Sequence, residues 1–210
     1  VPLSAQGRSE AAAAAALIAD FAAEGAPDAV SLIASSPMSR AVYGAECVRE
    51  AVRPHCVGQV PLTTYELLRE IDRGQWVNKN REEIAAEWGE DAFERAARED
   101  TFGRTFGGEG MGDLRERVLT ARDFVLQKVR PGSAAVLVSH MWVTRVMVAD
   151  ALGEPDVLNV DIPTASVSIV DYGEDAWPPA LATEPPSVPL TGYKPPLLAV
   201  ADDAGEQQSQ

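Results

Sequence analysis

Residues 134–147 read Ala-Ala-Val-Leu-Val-Ser-His-Met-Trp-Val-Thr-Arg-Val-Met, an apolar run that halts at a histidine and passes directly into a helical pattern. A run this short and this apolar suits a strand covered on both faces, and such strands belong to parallel sheets packed between helices. The pattern sets His140, one of only two histidines, at the carboxyl end of a buried strand. In open α/β sheets ligands collect along that edge, and the free N–H groups of the next helix favour an anion. His140 is therefore a candidate phosphate contact. Taken alone, the segment fits equally well a histidine that only closes a turn.

A second segment breaks the tie. Residues 31–43, Ser-Leu-Ile-Ala-Ser-Ser-Pro-Met-Ser-Arg-Ala-Val-Tyr, again run from strand to helix, with Ser36 suited to the N-cap and Pro37 to the first helical position. Arg40 then falls in the first turn, where a cation opposes the helix dipole by roughly 0.3–1 kcal/mol. An anion nearby would offset that cost. The ordinary alternative is an arginine that leans outward or pairs with Glu46 or Asp72.

The remaining pattern alternates: helix 6–24, strand 31–35, helix 37–52, strand 57–60, a loop carrying Glu70, helices 81–99 and 111–130, strand 134–139, helix 142–152 and strand 165–172. Strands alternating with helices predict an α/β fold, a three-layer sandwich with a mostly parallel central sheet flanked by helices. Residues 1–172 form one domain in this reading. The prolines of 173–199 suit an extended strap, and 200–210 a disordered tail. The charged and then glycine-rich stretch 81–112 reads as an insertion over the site, with Arg104 as a lid contact.

A formal charge of −14 argues against nucleic acid and anionic membranes as partners. No apolar run approaches the roughly 20 residues that span a bilayer, and a cytoplasmic location is expected. Cys47 and Cys56 form no C-x-x-C and no His/Cys ligand cluster, so reduced thiols and no metal are the default. The absence of G-x-S-x-G disfavours a Ser/His/Asp hydrolase.

Five segments in order carry a resemblance: Pro2-Leu-Ser-Ala-Gln-Gly-Arg-Ser-Glu-Ala, Ser35-Ser-Pro-Met-Ser-Arg-Ala41, Leu68-Arg-Glu-Ile-Asp-Arg-Gly-Gln-Trp76, Gly107-Gly-Glu-Gly-Met-Gly-Asp113 and Val138-Ser-His140. Together they resemble the histidine phosphatase superfamily, with its phosphoglycerate mutase-like fold. The resemblance implies phosphoryl transfer through a phosphohistidine, without cofactor. It implies that Arg40 binds phosphate, that His140 bonds the phosphate oxygens, and that Glu70 protonates the leaving oxygen. Without the resemblance, Glu70 is better taken as a solvated loop charge beside Arg69, Asp72 and Arg73.

The sequence departs from the family at several points. No Arg-His-Gly, the family's nucleophile motif, occurs in the 210 residues, and His55 lies at the wrong end of its segment to replace it. The nucleophile is expected upstream of Val1, on a strand of a longer polypeptide. A truncated non-catalytic relative and a strand supplied by another chain are the alternatives. Met141-Trp142 stand where the family has Gly-Gly, which should narrow the pocket mouth and leave the Met141 N–H for phosphate. Gly110 replaces a serine, and Lys79 gains reach toward an anionic substrate. The expected function is a phosphatase of a small phosphate monoester. A non-catalytic phosphate-ligand or protein-binding relative is the alternative, and mutase-type transfer a variant. The oligomeric state is open, a dimer included.

Overall fold

The strand β1 (Val30–Ser35) organises the molecule, because among the described residues it is the one strand paired on both edges. Its neighbours are β2 (Leu62–Thr64) and β3 (Ala134–Val138), both parallel to it, in the order β2-β1-β3. The computed structural model describes residues 3–25, 29–98, 107–173 and 185–197.

One helical layer holds α1 (Ala5–Glu24) and α2 (Ser39–Val52). Ser4 caps α1, its Oγ accepting the Gly7 N–H at 3.0 Å. The small side chains Ala15, Ala22 and Ala45 let these helices approach closely over Val30 and Ile33. The opposite layer holds α5 (Met111–Leu126) and α6 (Met141–Leu152), which cover Leu32 and Ala34 with Leu114, Val118, Val143 and Val146. In a regular strand Val30 and Ile33 would point to opposite faces. The register with β3 shifts between Val30 and Leu32, and this irregularity brings both onto the α1/α2 side.

Several sequence expectations shift. The strand expected at 57–60 is instead a turn, with Gly58 at φ +84 and Val57 79% exposed; pairing begins later, at Leu62. The expected helix 81–99 is two helices, α3 (Arg81–Trp88) and α4 (Ala92–Arg98), because Gly89 turns the chain at φ +102. The second helix begins at Ser39 rather than Pro37, since Ser36 closes a turn onto the Met38 N–H (3.3 Å) ahead of it. Arg104 and residues 200–210 lie outside the described residues.

Beyond α6, β4 (Val167–Asp171) pairs antiparallel with β5 (Ser187–Tyr193), which lies within the proline-rich segment. This pair is a separate sheet: among the described residues the outer edge of β3 has no strand partner. No described helix is long and apolar enough to cross a membrane.

Candidate active site

The carboxyl ends of β1 and β3 lie side by side, with Ser35 in register with Val138. Each strand runs into a helix whose N-terminus has neither a side-chain cap nor an acidic residue in its first turn. The first-turn N–H groups and the positive end of the dipole of both α2 and α6 thus meet at one edge of the sheet. Met141, the first residue of α6, presents one of these N–H groups.

Between the two ends, His140 Nε2 lies 2.8 Å from Ser36 Oγ, and both residues are buried. Burial pushes His140 down to about 4, with the positive charges of Arg40, Arg117 and Arg69 adding to the effect. Its imidazole is neutral at pH 7. Arg40 stands in the first turn of α2, half-buried, with no salt bridge among the described residues but close enough to act on Glu70. The candidate partners are engaged elsewhere: Glu46 with Arg49, and Asp72 with the Gly74 N–H at 2.9 Å.

Glu70 sits on the loop between β2 and α3. Burial raises its pKa above the ordinary glutamate value, against the opposing pull of the Ile71 N–H, Arg73, Arg40 and the Trp142 N–H. The Ile71 N–H donates to Oε1 at 3.0 Å. Arg40 acts on both Glu70 and His140, so the three residues share one electrostatic neighbourhood. An open cleft of about 380 Å³ adjoins Glu70, lined also by Glu66, Arg69, Asp72, Glu109 and Arg117; Arg40 and His140 are not part of its lining.

Other expectations fare differently. Lys79 is bound to Glu87, with its ammonium 4.4 Å above the Trp88 ring, and it is not among the cations acting on Glu70 or His140. Trp142 does not narrow the pocket mouth, because its side chain is wholly buried in the core around Leu68, Ile71 and Leu114. His55 closes a turn after α2, where the next residue, Cys56, has its Sγ 3.7 Å from the carbonyl of Val30, at the opposite end of β1. No group of three or more His, Cys, Asp or Glu suited to a metal occurs among the described residues.

Sequence reasoning missed two partners. Ser36 was legible only as a cap, although its place beside a strand-end histidine hints at the contact. Arg117 was not singled out at all, yet it reaches the backbone on both sides of the loop bearing Glu70. The signal was present in Glu109 and Arg117, a carboxylate just before a helix and an arginine on its second turn.

A parallel sheet between two helical layers, with an arginine and a histidine at its strand ends and an enclosed carboxyl on a neighbouring loop, defines an α/β protein with a polar site along one sheet edge. The sequence model of the histidine phosphatase superfamily (branch 1) matches residues 1–183, and the chain belongs to that family. Solved structures agree in fold. The mycobacterial glucosyl-3-phosphoglycerate phosphatase superposes with a TM-score of 0.73 at 21% identity, covering 92% of this chain and 89% of its own. YhfR of Bacillus stearothermophilus gives 0.71 at 22% identity, covering 91% and 85%. The alpha-ribazole phosphatase of Shigella flexneri gives 0.64 at 20%, covering 92% and 85%. No curated protein matches the chain.

Proposed function

We propose that the protein is a phosphomonoesterase that hydrolyses a small phosphate monoester through a phosphohistidine, acting in the cytoplasm without a cofactor. The observation that carries this reading is the meeting of Arg40, His140 and Glu70 at the ends of two neighbouring parallel strands. The Arg40 guanidinium suits two phosphate oxygens, and neutral His140 adds a hydrogen bond without competing for the incoming proton. The Met141 N–H adds a backbone donor.

In this mechanism a histidine on a strand seated along the open edge of β3 attacks phosphorus. The bond to the leaving oxygen breaks, and Glu70 gives that oxygen its proton. Water then attacks the phosphohistidine, losing a proton to the Glu70 carboxylate, and inorganic phosphate leaves. A raised glutamate pKa suits this double role, and a bound anion would raise it further. Mutase-type transfer uses the same residues with an acceptor alcohol in place of water.

A second reading keeps Arg40 and His140 as donors to a phosphate ligand without turnover. Both readings require the chain to bind phosphate or vanadate, detected as a rise in melting temperature. Arg40→Ala and His140→Ala should each weaken that binding roughly 10- to 100-fold, the worth of one charged hydrogen bond. Unchanged affinity in both variants would remove the site assignment.

A further inference from the structure

The loop bearing Glu70 has a short 3-10 turn on either side, Glu66–Leu68 and Gly74–Trp76, and the stretch around Glu70 is fixed by contacts from elsewhere in the fold. Its backbone is held from α5. Arg117 donates from Nη1 to the Leu67 carbonyl at 2.6 Å and from Nη2 to the Glu70 carbonyl at 3.4 Å. The same guanidinium grips the Glu109 carboxylate through Nε and through Nη2, the latter at 2.7 Å. Glu109 in turn ties down residue 72: its N–H donates to the Asp72 carbonyl at 2.9 Å, and its Oε2 accepts the Asp72 N–H at 3.4 Å. Ser139, next to His140, donates to the Leu68 carbonyl at 2.7 Å. Residues 67, 68, 70 and 72 are thus anchored to α5, to the 107–110 loop and to the end of β3. The side chains of Arg117 and Glu109 are only 18% and 16% exposed, where such a pair loses little to solvent screening.

We infer that the Glu109–Arg117 pair is a positioning device that holds Glu70 against the phosphate-binding end of β3. The inference rests on the reading of Glu70 as proton donor, but it can fail separately. Arg117 itself never touches the reacting atoms in this scheme; it sets where the Glu70 carboxyl sits. The cations acting on that carboxyl are Arg73 and Arg40. Loss of the Arg117 charge alone would raise the Glu70 midpoint, whereas release of the carboxyl into solvent would lower it, so the sign of the change separates movement from lost charge.

The test is a carbon-13 NMR titration of Glu70 in the whole chain, assigned with Glu70→Gln, in wild type, Arg117→Gln, Arg117→Lys and Glu109→Gln. Wild-type Glu70 should titrate above ordinary glutamates. Arg117→Gln should bring its midpoint back toward them as the carboxyl gains solvent. Arg117→Lys, which keeps one donor for the Leu67 carbonyl, should fall between. Glu109→Gln keeps the guanidinium but loosens its grip, and it supplies the same readout if Arg117→Gln does not fold. An unmoved Glu70 midpoint in the folded variants, with only a lowered melting temperature, would reduce Arg117 to a structural ion pair and overturn the inference. Vanadate binding by the wild type is measured alongside. Its absence would sink the functional reading, whereas its presence with an unmoved Glu70 would sink only the positioning role.

Discussion

β1 and β3 are neighbours of similar apolar composition in opposite circumstances. Five of the six residues of β1 are buried, whereas in β3 Ala134 is exposed and residues 135–138 are only half-buried. Sequence does not separate them, since Ser-Leu-Ile-Ala and Ala-Val-Leu-Val are equally suited to a covered strand. The difference lies in pairing: among the described residues β1 has a strand on each side, and β3 has one. By the pleat, Ala135 and Leu137 direct their N–H and C=O groups away from β1. Among the described residues, then, an apolar strand with an unpaired outer edge stands at the candidate active site.

The largest effect expected is the removal of that contrast. In a polypeptide that seats an Arg-His-Gly strand along β3, the amides of Ala135 and Leu137 should gain at least ~100-fold protection from hydrogen exchange. Ile33 and Ala34 should change little, being paired already. The same polypeptide should form an acid-labile phosphohistidine, which the 210-residue chain should not. Protection without phosphohistidine would favour the binding reading.

Next in size is the pH dependence of stability at the strand ends. His140 is held near 4 in the folded chain and returns to about 6.5 on unfolding, so only the unfolded state takes up its proton between those values. Stability is therefore lost as pH falls from 6.5 to 4, by about 3 kcal/mol. Glu70 has the opposite sign: its raised pKa makes the folded state less favoured as pH rises above the ordinary glutamate value of 4.5 through the folded one. Urea midpoints measured across this range should show the acid limb flattened in His140→Gln and the opposing limb removed in Glu70→Gln. Parallel curves for wild type and His140→Gln would mean the histidine is not held neutral.

The smallest effect concerns the far side of the opening. Lys194, just beyond β5, pairs with Glu10 of α1 at 3.0 Å, which lowers the Glu10 pKa. Lys194→Ala should cost no more than about 0.5 kcal/mol by thermal melting, because the pair is partly solvated. A much larger loss would show that this contact, rather than packing on α6, holds β4 and β5 in place.

Much of the fold was legible because the apolar runs of β1 and β3 are short, bounded and followed by helical periodicity. Arg40 and His140 inherit their positions from those runs, so they were legible too. The strand at 62–64 was not, since Leu-Thr-Thr carries little apolar signal beside Val57–Val60; only pairing with β1 makes it a strand. The break at Gly89 was visible as a glycine, but a single glycine inside a charged helical pattern does not by itself end a helix. Glu70 was named by resemblance, whereas its enclosure depends on residues 109 and 117, far away in sequence and near only in the fold.

Gly108, on the loop before α5, packs against the backbone of residues 72–74. A β-carbon there would lie 2.3 Å from the Asp72 carbonyl oxygen and 2.6 Å from the Gly74 nitrogen. Every substitution at 108 must therefore displace residues 72–74, and Glu70 stands two positions away. In mutational terms, a position with no side chain of its own should tolerate as little change as the proposed proton donor, and a screen for lost function should find it alongside Arg40 and His140.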